Sequence, residues 1–184
     1  MSQVTRSWLA FAAMGAGVIH LGVAPGTAIP AAVVLGVLGL AEFAWGVGVL
    51  ARNRFLVARV ALVVAFVPVI GWGLVLLSAV AFDNPELASA FGAFPMGVAS
   101  FFNLVLAAVL SADRRRTAGV SSGGPALARK SHRQAPAYLY LTGLMVGALA
   151  VSMLTTPALA ATGAGINNPH ANHGELNLPE QHHH

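Results

Sequence analysis

The polar tail of the chain contains the residues with the clearest metal-ligand chemistry. His170 and His173 stand three positions apart, and Glu175 follows two positions later. Imidazole nitrogens and carboxylate oxygens bind zinc and copper ions, which accept nitrogen ligands. These three residues are therefore a candidate copper or zinc site, and the alternative is a solvated tail without a fixed fold. The last three residues, 182–184, are all histidines and resemble an expression tag, so they are not counted as ligands.

Three polar side chains interrupt otherwise apolar stretches, namely His20, Glu42 and Asn103. At offsets of three, four and seven residues, which share one face of a helix, each is accompanied mainly by Ala, Gly or Ser. Small residues let helices approach closely, and buried polar groups need partners. We therefore expect all three side chains to point into a helix bundle, as an intramembrane polar pocket for protons or a cation. The alternative role for each is purely structural, as an interhelical hydrogen-bonding group.

The depth of each polar residue limits which of them can meet. At 1.5 Å of helical rise per residue, Glu42 and Asn103 each lie roughly 18 Å from the outer end of their span, and His20 roughly 13 Å. Their equal depth therefore allows a hydrogen bond between Glu42 and Asn103. His20 and Glu42 are unequal distances from the turn that joins their spans, by ~10 Å, so a direct contact would require helix tilt or a water.

The composition requires most of the chain to lie in an apolar environment. Of 184 residues, 57% are hydrophobic and 9% are charged, whereas soluble domains average about 25% charged residues. The apolar residues form five runs long enough to cross ~30 Å of hydrocarbon. We predict an all-α integral membrane protein in which residues 1–161 form a five-transmembrane-helix bundle and 162–184 form a flexible tail. The predicted spans are about 8–29, 30–50, 55–82, 87–110 and 137–160. Because the chain has no cysteine, thiolate metal sites are excluded.

The distribution of positive charge predicts the topology. Loop 111–136 separates the last two spans and carries six basic residues, namely Arg114, Arg115, Arg116, Arg129, Lys130 and Arg133. Basic loops of multi-spanning proteins remain on the cytoplasmic side. Five spans then place the N-terminus in the cytoplasm and the C-terminal tail outside, with all ten Lys and Arg residues on the inner side. The Ala-, Gly- and Arg-rich composition suggests a bacterial plasma (inner) membrane. The positive charge flanks the membrane and does not indicate a nucleic-acid partner.

Motifs for catalysis are missing from the sequence, which has no Gly-rich phosphate loop, HExxH or GxSxG. We therefore predict no catalytic residues, and an enzyme is the least supported function. Gly143 and Gly147 form a GxxxG pattern that favours close helix packing, which suggests a homo-oligomer or association with other membrane subunits. Small residues that end at Ala160 also resemble a leader-peptidase site, and cleavage there would release the tail.

Two functions follow from these residues. In the first, the tail captures copper or zinc outside the lipid bilayer, and the intramembrane polar pocket receives the ion or couples it to protons. In the second, the chain is a non-catalytic accessory or assembly subunit of a larger membrane complex, and its small-residue faces are docking surfaces.

Overall fold

A computed structural model of the chain describes residues 2–52, 58–120 and 136–163, and these residues are helical almost throughout. Within these residues five helices are long and apolar enough to cross a membrane, which confirms the predicted all-α class with five long apolar helices. In chain order the helices are α1 (Gln3–Val23), α2 (Ile29–Arg52), α3 (Ala58–Ala81), α4 (Glu86–Ser89), α5 (Ala93–Val120) and α6 (Ala137–Ala160).

Two of the predicted helix boundaries move for local reasons. Helix α1 begins at Gln3 because the Ser2 hydroxyl accepts a hydrogen bond from the Thr5 backbone N–H at 3.1 Å, which is a favourable N-cap. The long helix α5 begins at Ala93 and not near residue 87, since Gly92 adopts a φ of 70° that interrupts the helix. The short helix α4 fills the interval that the sequence assigned to the span.

Helix α1 lies at the centre of the bundle, packed against α2, α5 and α6, while α3 packs on α5. Lipid tails are as apolar as leucine, so helices in a bilayer associate where small residues allow close van der Waals contact. Most of α1 is buried and much of its buried surface is small, namely Ala10, Ala12, Ala13, Gly15, Ala16 and Gly17. The central position of α1 thus follows from small residues around most of its circumference.

The backbones of α1 and α2 touch where Gly17 meets Gly39. A Cβ atom on Gly39 would lie 2.6 Å from the Gly17 carbonyl oxygen, and one on Gly17 would lie 2.5 Å from the Gly39 oxygen. Further along the same pair of helices, a Cβ on Gly46 would lie 2.7 Å from the Ala10 oxygen. No side chain fits at these distances, so the glycines fix the separation of the two helices.

The GxxxG pattern of α6 packs against α1 of the same chain. A Cβ on Gly143 would lie 3.0 Å from Val4, and one on Gly147 would lie 2.7 Å from the Trp8 ring. The Trp8 indole Nε1 also donates a hydrogen bond to the Gly143 carbonyl oxygen at 2.7 Å. The close packing that the motif indicates is present, but α1 covers both glycines, so another subunit would need a different surface. Association with such a subunit stays a prediction.

The two ends of the bundle differ in charge. Ser2 of α1 lies beside Arg116 of α5, and Trp8 lies beside Gly143 of α6, so α1 runs antiparallel to α5 and parallel to α6. One end, here called the arginine end, therefore carries the arginines that the structure describes, namely Arg6, Arg52, Arg59, Arg114, Arg115 and Arg116. The other end, the turn end, contains residues 24–28 and 82–92.

Candidate functional site

Three helices bring His20, Glu42 and Asn103 together in the interior of the bundle. His20 Nδ1 lies 2.7 Å from Glu42 Oε2, and Asn103 Nδ2 donates a hydrogen bond to Glu42 Oε1 at 2.9 Å. The side chains are almost completely buried, with 0%, 4% and 1% of His20, Glu42 and Asn103 exposed. Their burial agrees with the predicted orientation into the bundle, while their functional role stays a prediction. These three residues are called the polar cluster below.

His20 and Glu42 are in direct contact although the sequence places them ~10 Å apart in depth, so the offset is closed without a bridging water. Side chains on a helix lean toward the N-terminus of their own helix. Since α1 and α2 are antiparallel, the His20 and Glu42 side chains lean toward each other and close the offset between their Cα atoms. The glycine contact between Gly17 and Gly39, one turn from each, brings the helix axes close enough for a hydrogen bond without an intervening water.

Glu42 joins three helices through the two oxygens of its carboxyl group. One oxygen meets His20 of α1 and the other meets Asn103 of α5. A buried carboxylate is costly unless it is hydrogen-bonded, and both oxygens here have a partner. The polar cluster therefore has a structural role as an interhelical link, whatever else it does.

Two polar atoms of the cluster have no hydrogen-bond partner within the described part of the chain. They are His20 Nε2 and Asn103 Oδ1, and the Ser100 hydroxyl one turn earlier on α5 is in the same situation. Buried polar atoms are rarely left without a partner, so each of these keeps an unused hydrogen-bonding position. Ser100 shares the helix face of Asn103 at an offset of three residues, but a missing hydrogen-bond partner is a tertiary property that the sequence does not show.

A cavity of about 140 Å³ adjoins the polar cluster between α1, α2, α3 and α5. Glu42 and Asn103 form part of its wall, and the rest is apolar, namely Ala13, Ala41, Trp45, Val60, Ala61, Val64, Ala65 and Leu106. A cavity of this volume with polar groups in its wall can hold water. The cavity thus offers water or a small ion a place beside Glu42. No sequence pattern predicted it.

The contact between His20 and Glu42 gives the cluster two protonation states with different chemistry. When Glu42 is ionised and His20 is neutral, Nδ1–H donates to the carboxylate and Nε2 presents a lone pair. When the pair takes up one proton, Nε2 carries a hydrogen. This holds whether the proton between His20 Nδ1 and Glu42 Oε2 is bound to the nitrogen or to the oxygen. The free nitrogen of His20 therefore accepts one proton or one cation, and the two compete.

The predicted tail site of His170, His173 and Glu175 lies outside the described residues. Within residues 2–52, 58–120 and 136–163, no group of three or more His, Cys, Asp or Glu side chains is arranged to hold a metal ion. A metal ion at the polar cluster would therefore combine the His20 imidazole with amide, carboxylate or water oxygens, and a fuller nitrogen shell would require the tail.

Comparisons with known proteins find no match to a family model, to a curated protein or to a solved structure.

Proposed function

We propose that the protein handles a copper or zinc ion, with the polar cluster as the binding station inside the bundle. The observation that carries the proposal is the buried His20 Nε2, which has no partner among the described residues while Nδ1 is held by Glu42. Carboxylates that bind one imidazole nitrogen commonly orient the other nitrogen toward a metal ion and raise its basicity. Asn103 Oδ1 is the second vacant acceptor of the cluster.

The proposed topology places the arginine end of the bundle in the cytoplasm and the C-terminal tail outside. Its support is the concentration of the described arginines at that end, because basic residues of membrane proteins accumulate on the cytoplasmic side. The membrane in this proposal is the bacterial plasma membrane. His170, His173 and Glu175 then capture the ion outside and raise its concentration near the turn end.

Competition at His20 Nε2 couples the ion to protons. The anionic form of the His20–Glu42 pair binds one cation, and uptake of a proton at Nε2 expels it. Neutral imidazole is required for metal ligation, so metal binding at the tail should weaken below about pH 6 as its histidines protonate. Glu42 and Asn103 also line the cavity, which provides hydration for the exchange.

The Glu42→Gln variant tests the role of His20 without removing the interhelical link. The glutamine oxygen can still accept from Asn103, and its amide N–H can donate to His20 Nδ1, which forces the imidazole hydrogen onto Nε2. Folding should therefore survive while the nitrogen ligand is lost. Titration of a chain that ends at Gln181 with Zn²⁺ and Cu²⁺ should show a binding step that Glu42→Gln abolishes, at an unchanged unfolding temperature.

The matched comparison for the tail is the double variant His170→Ala/His173→Ala in the same chain that ends at Gln181. It should lose the tail step and keep the step at the polar cluster. Equal binding by the parent, Glu42→Gln and the double variant would refute the metal proposal. The accessory-subunit function would then be favoured, since Glu42 already serves as a link between α1, α2 and α5.

A further inference from the structure

A groove between α1, α5 and α6 is lined by none of the polar-cluster residues. Helix α6 packs mainly on α1, which leaves a space of about 440 Å³ beside α5. The groove walls are almost entirely apolar, namely Val4, Thr5, Trp8, Leu9, Ala12, Phe101, Phe102, Val105, Val109, Gly147, Ala150, Val151 and Leu154. Its shape and chemistry suit a hydrocarbon chain.

The groove adjoins a polar pocket of about 400 Å³ at the arginine end. Thr5 and Val109 line both spaces, so the two are neighbours. The pocket adds the Ser2 hydroxyl and the Asp113 and Arg116 side chains to the apolar lining of α5. Asp113 and Arg116 balance each other in charge within this lining. Arg6, Arg114 and Arg115 belong to the same end of the bundle, so that end as a whole is positively charged.

The dimensions of the groove and pocket correspond to one leaflet of a bilayer. The lining residues on α5 extend from Phe101 to Arg116, about fifteen residues or roughly 22 Å at helical rise. Half of a bilayer with its headgroups is also roughly 20–22 Å thick. An apolar groove beside a polar pocket at headgroup depth, at the positively charged end of the bundle, matches an amphiphile with a negative head.

We propose that this groove and pocket form a binding site for one anionic phospholipid. One acyl chain lies against Phe102 and Val105. The phosphate binds Arg116 together with one hydroxyl of the hydrogen-bonded Ser2–Thr5 pair, whose other hydrogen joins the two hydroxyls. Basic pockets between transmembrane helices at the cytoplasmic face are suited to acidic headgroups. The proposal requires the chain to span a membrane but does not depend on metal handling, because the polar cluster contributes no residue to the groove.

The test is lipid retention by the full chain, measured by native mass spectrometry after exchange into mixed micelles of detergent with phosphatidylglycerol or phosphatidylcholine. The parent should retain one phosphatidylglycerol in preference to phosphatidylcholine. Arg116→Gln should reduce that preference about five-fold, the effect of one basic residue worth about 1 kcal/mol, and Arg116→Lys should restore most of it. Arg59→Gln, an arginine of the same end but on α3, is the charge-matched control.

A second pair of variants tests the groove itself. Ala150→Leu fills the groove and should abolish retention of the lipid, while Ala44→Leu, on the exposed surface of α2, should leave it unchanged. Equal retention of the two lipids by the parent, or equal loss in Arg116→Gln and Arg59→Gln, would overturn the proposal. A concentration-dependent dimer that Ala150→Leu disrupts would also overturn it, because the groove would then belong to a second copy of the chain.

Discussion

Replacement of Gly39 by alanine should separate α1 from α2 and break the polar cluster. The new Cβ would lie 2.6 Å from the Gly17 carbonyl oxygen, whereas ordinary contact begins at 3.4 Å, so the helices must part by about 0.8 Å. The His20–Glu42 distance of 2.7 Å would then approach about 3.5 Å, where a hydrogen bond is lost. Overpacking costs about 1–3 kcal/mol and an intramembrane hydrogen bond about 1–2 kcal/mol, so we expect a loss of about 2–5 kcal/mol.

Gly36→Ala provides the matched control, because the added methyl group at this position of α2 meets no atom within 4 Å. Unfolding of both variants in detergent can be followed by tryptophan fluorescence. Gly39→Ala should unfold at a clearly lower temperature than Gly36→Ala, and its cost should be partly non-additive with that of Glu42→Ala, since both break the same link. Equal stability of the two glycine variants, or full additivity with Glu42→Ala, would refute the reasoning.

The remaining predictions concern the polar cluster, the α1–α6 contact and the topology. Glu42→Ala should lower the unfolding free energy by about 1–3 kcal/mol because it leaves two buried donors unpaired, whereas Glu42→Gln should match the parent in the same denaturation assay. Trp8→Phe should cost about 1 kcal/mol, the value of its hydrogen bond to Gly143, and a parental melting curve would contradict that contact. Reporter fusions should read cytoplasmic at Ser122 and external at Asn84, and the reverse pattern would overturn the proposed orientation.

The sequence determined the helical, apolar class of the protein and the burial of His20, Glu42 and Asn103, although it did not single out Ser7 and Thr162, which are also buried. Helix-forming apolar runs are a local property, so composition and length were enough to predict five long apolar helices. The small residues beside His20, Glu42 and Asn103 predicted their burial, because a face of Ala and Gly packs against another helix. The sequence predicted helix boundaries less well where backbone geometry interrupts an apolar run. The positive φ of Gly92 is one case, because the fourth long helix begins after it and not where the hydropathy indicates.

Only the tertiary structure decided which of these residues touch. The contact of His20 with Glu42 depends on the antiparallel lean of both side chains and on the helix separation set by Gly17 and Gly39. The partner of Gly147 was equally open from sequence, and the structure places Trp8 of the same chain against it. Crossing points and separations are set jointly by residues on two helices, and a pattern read along one helix carries no information about the other.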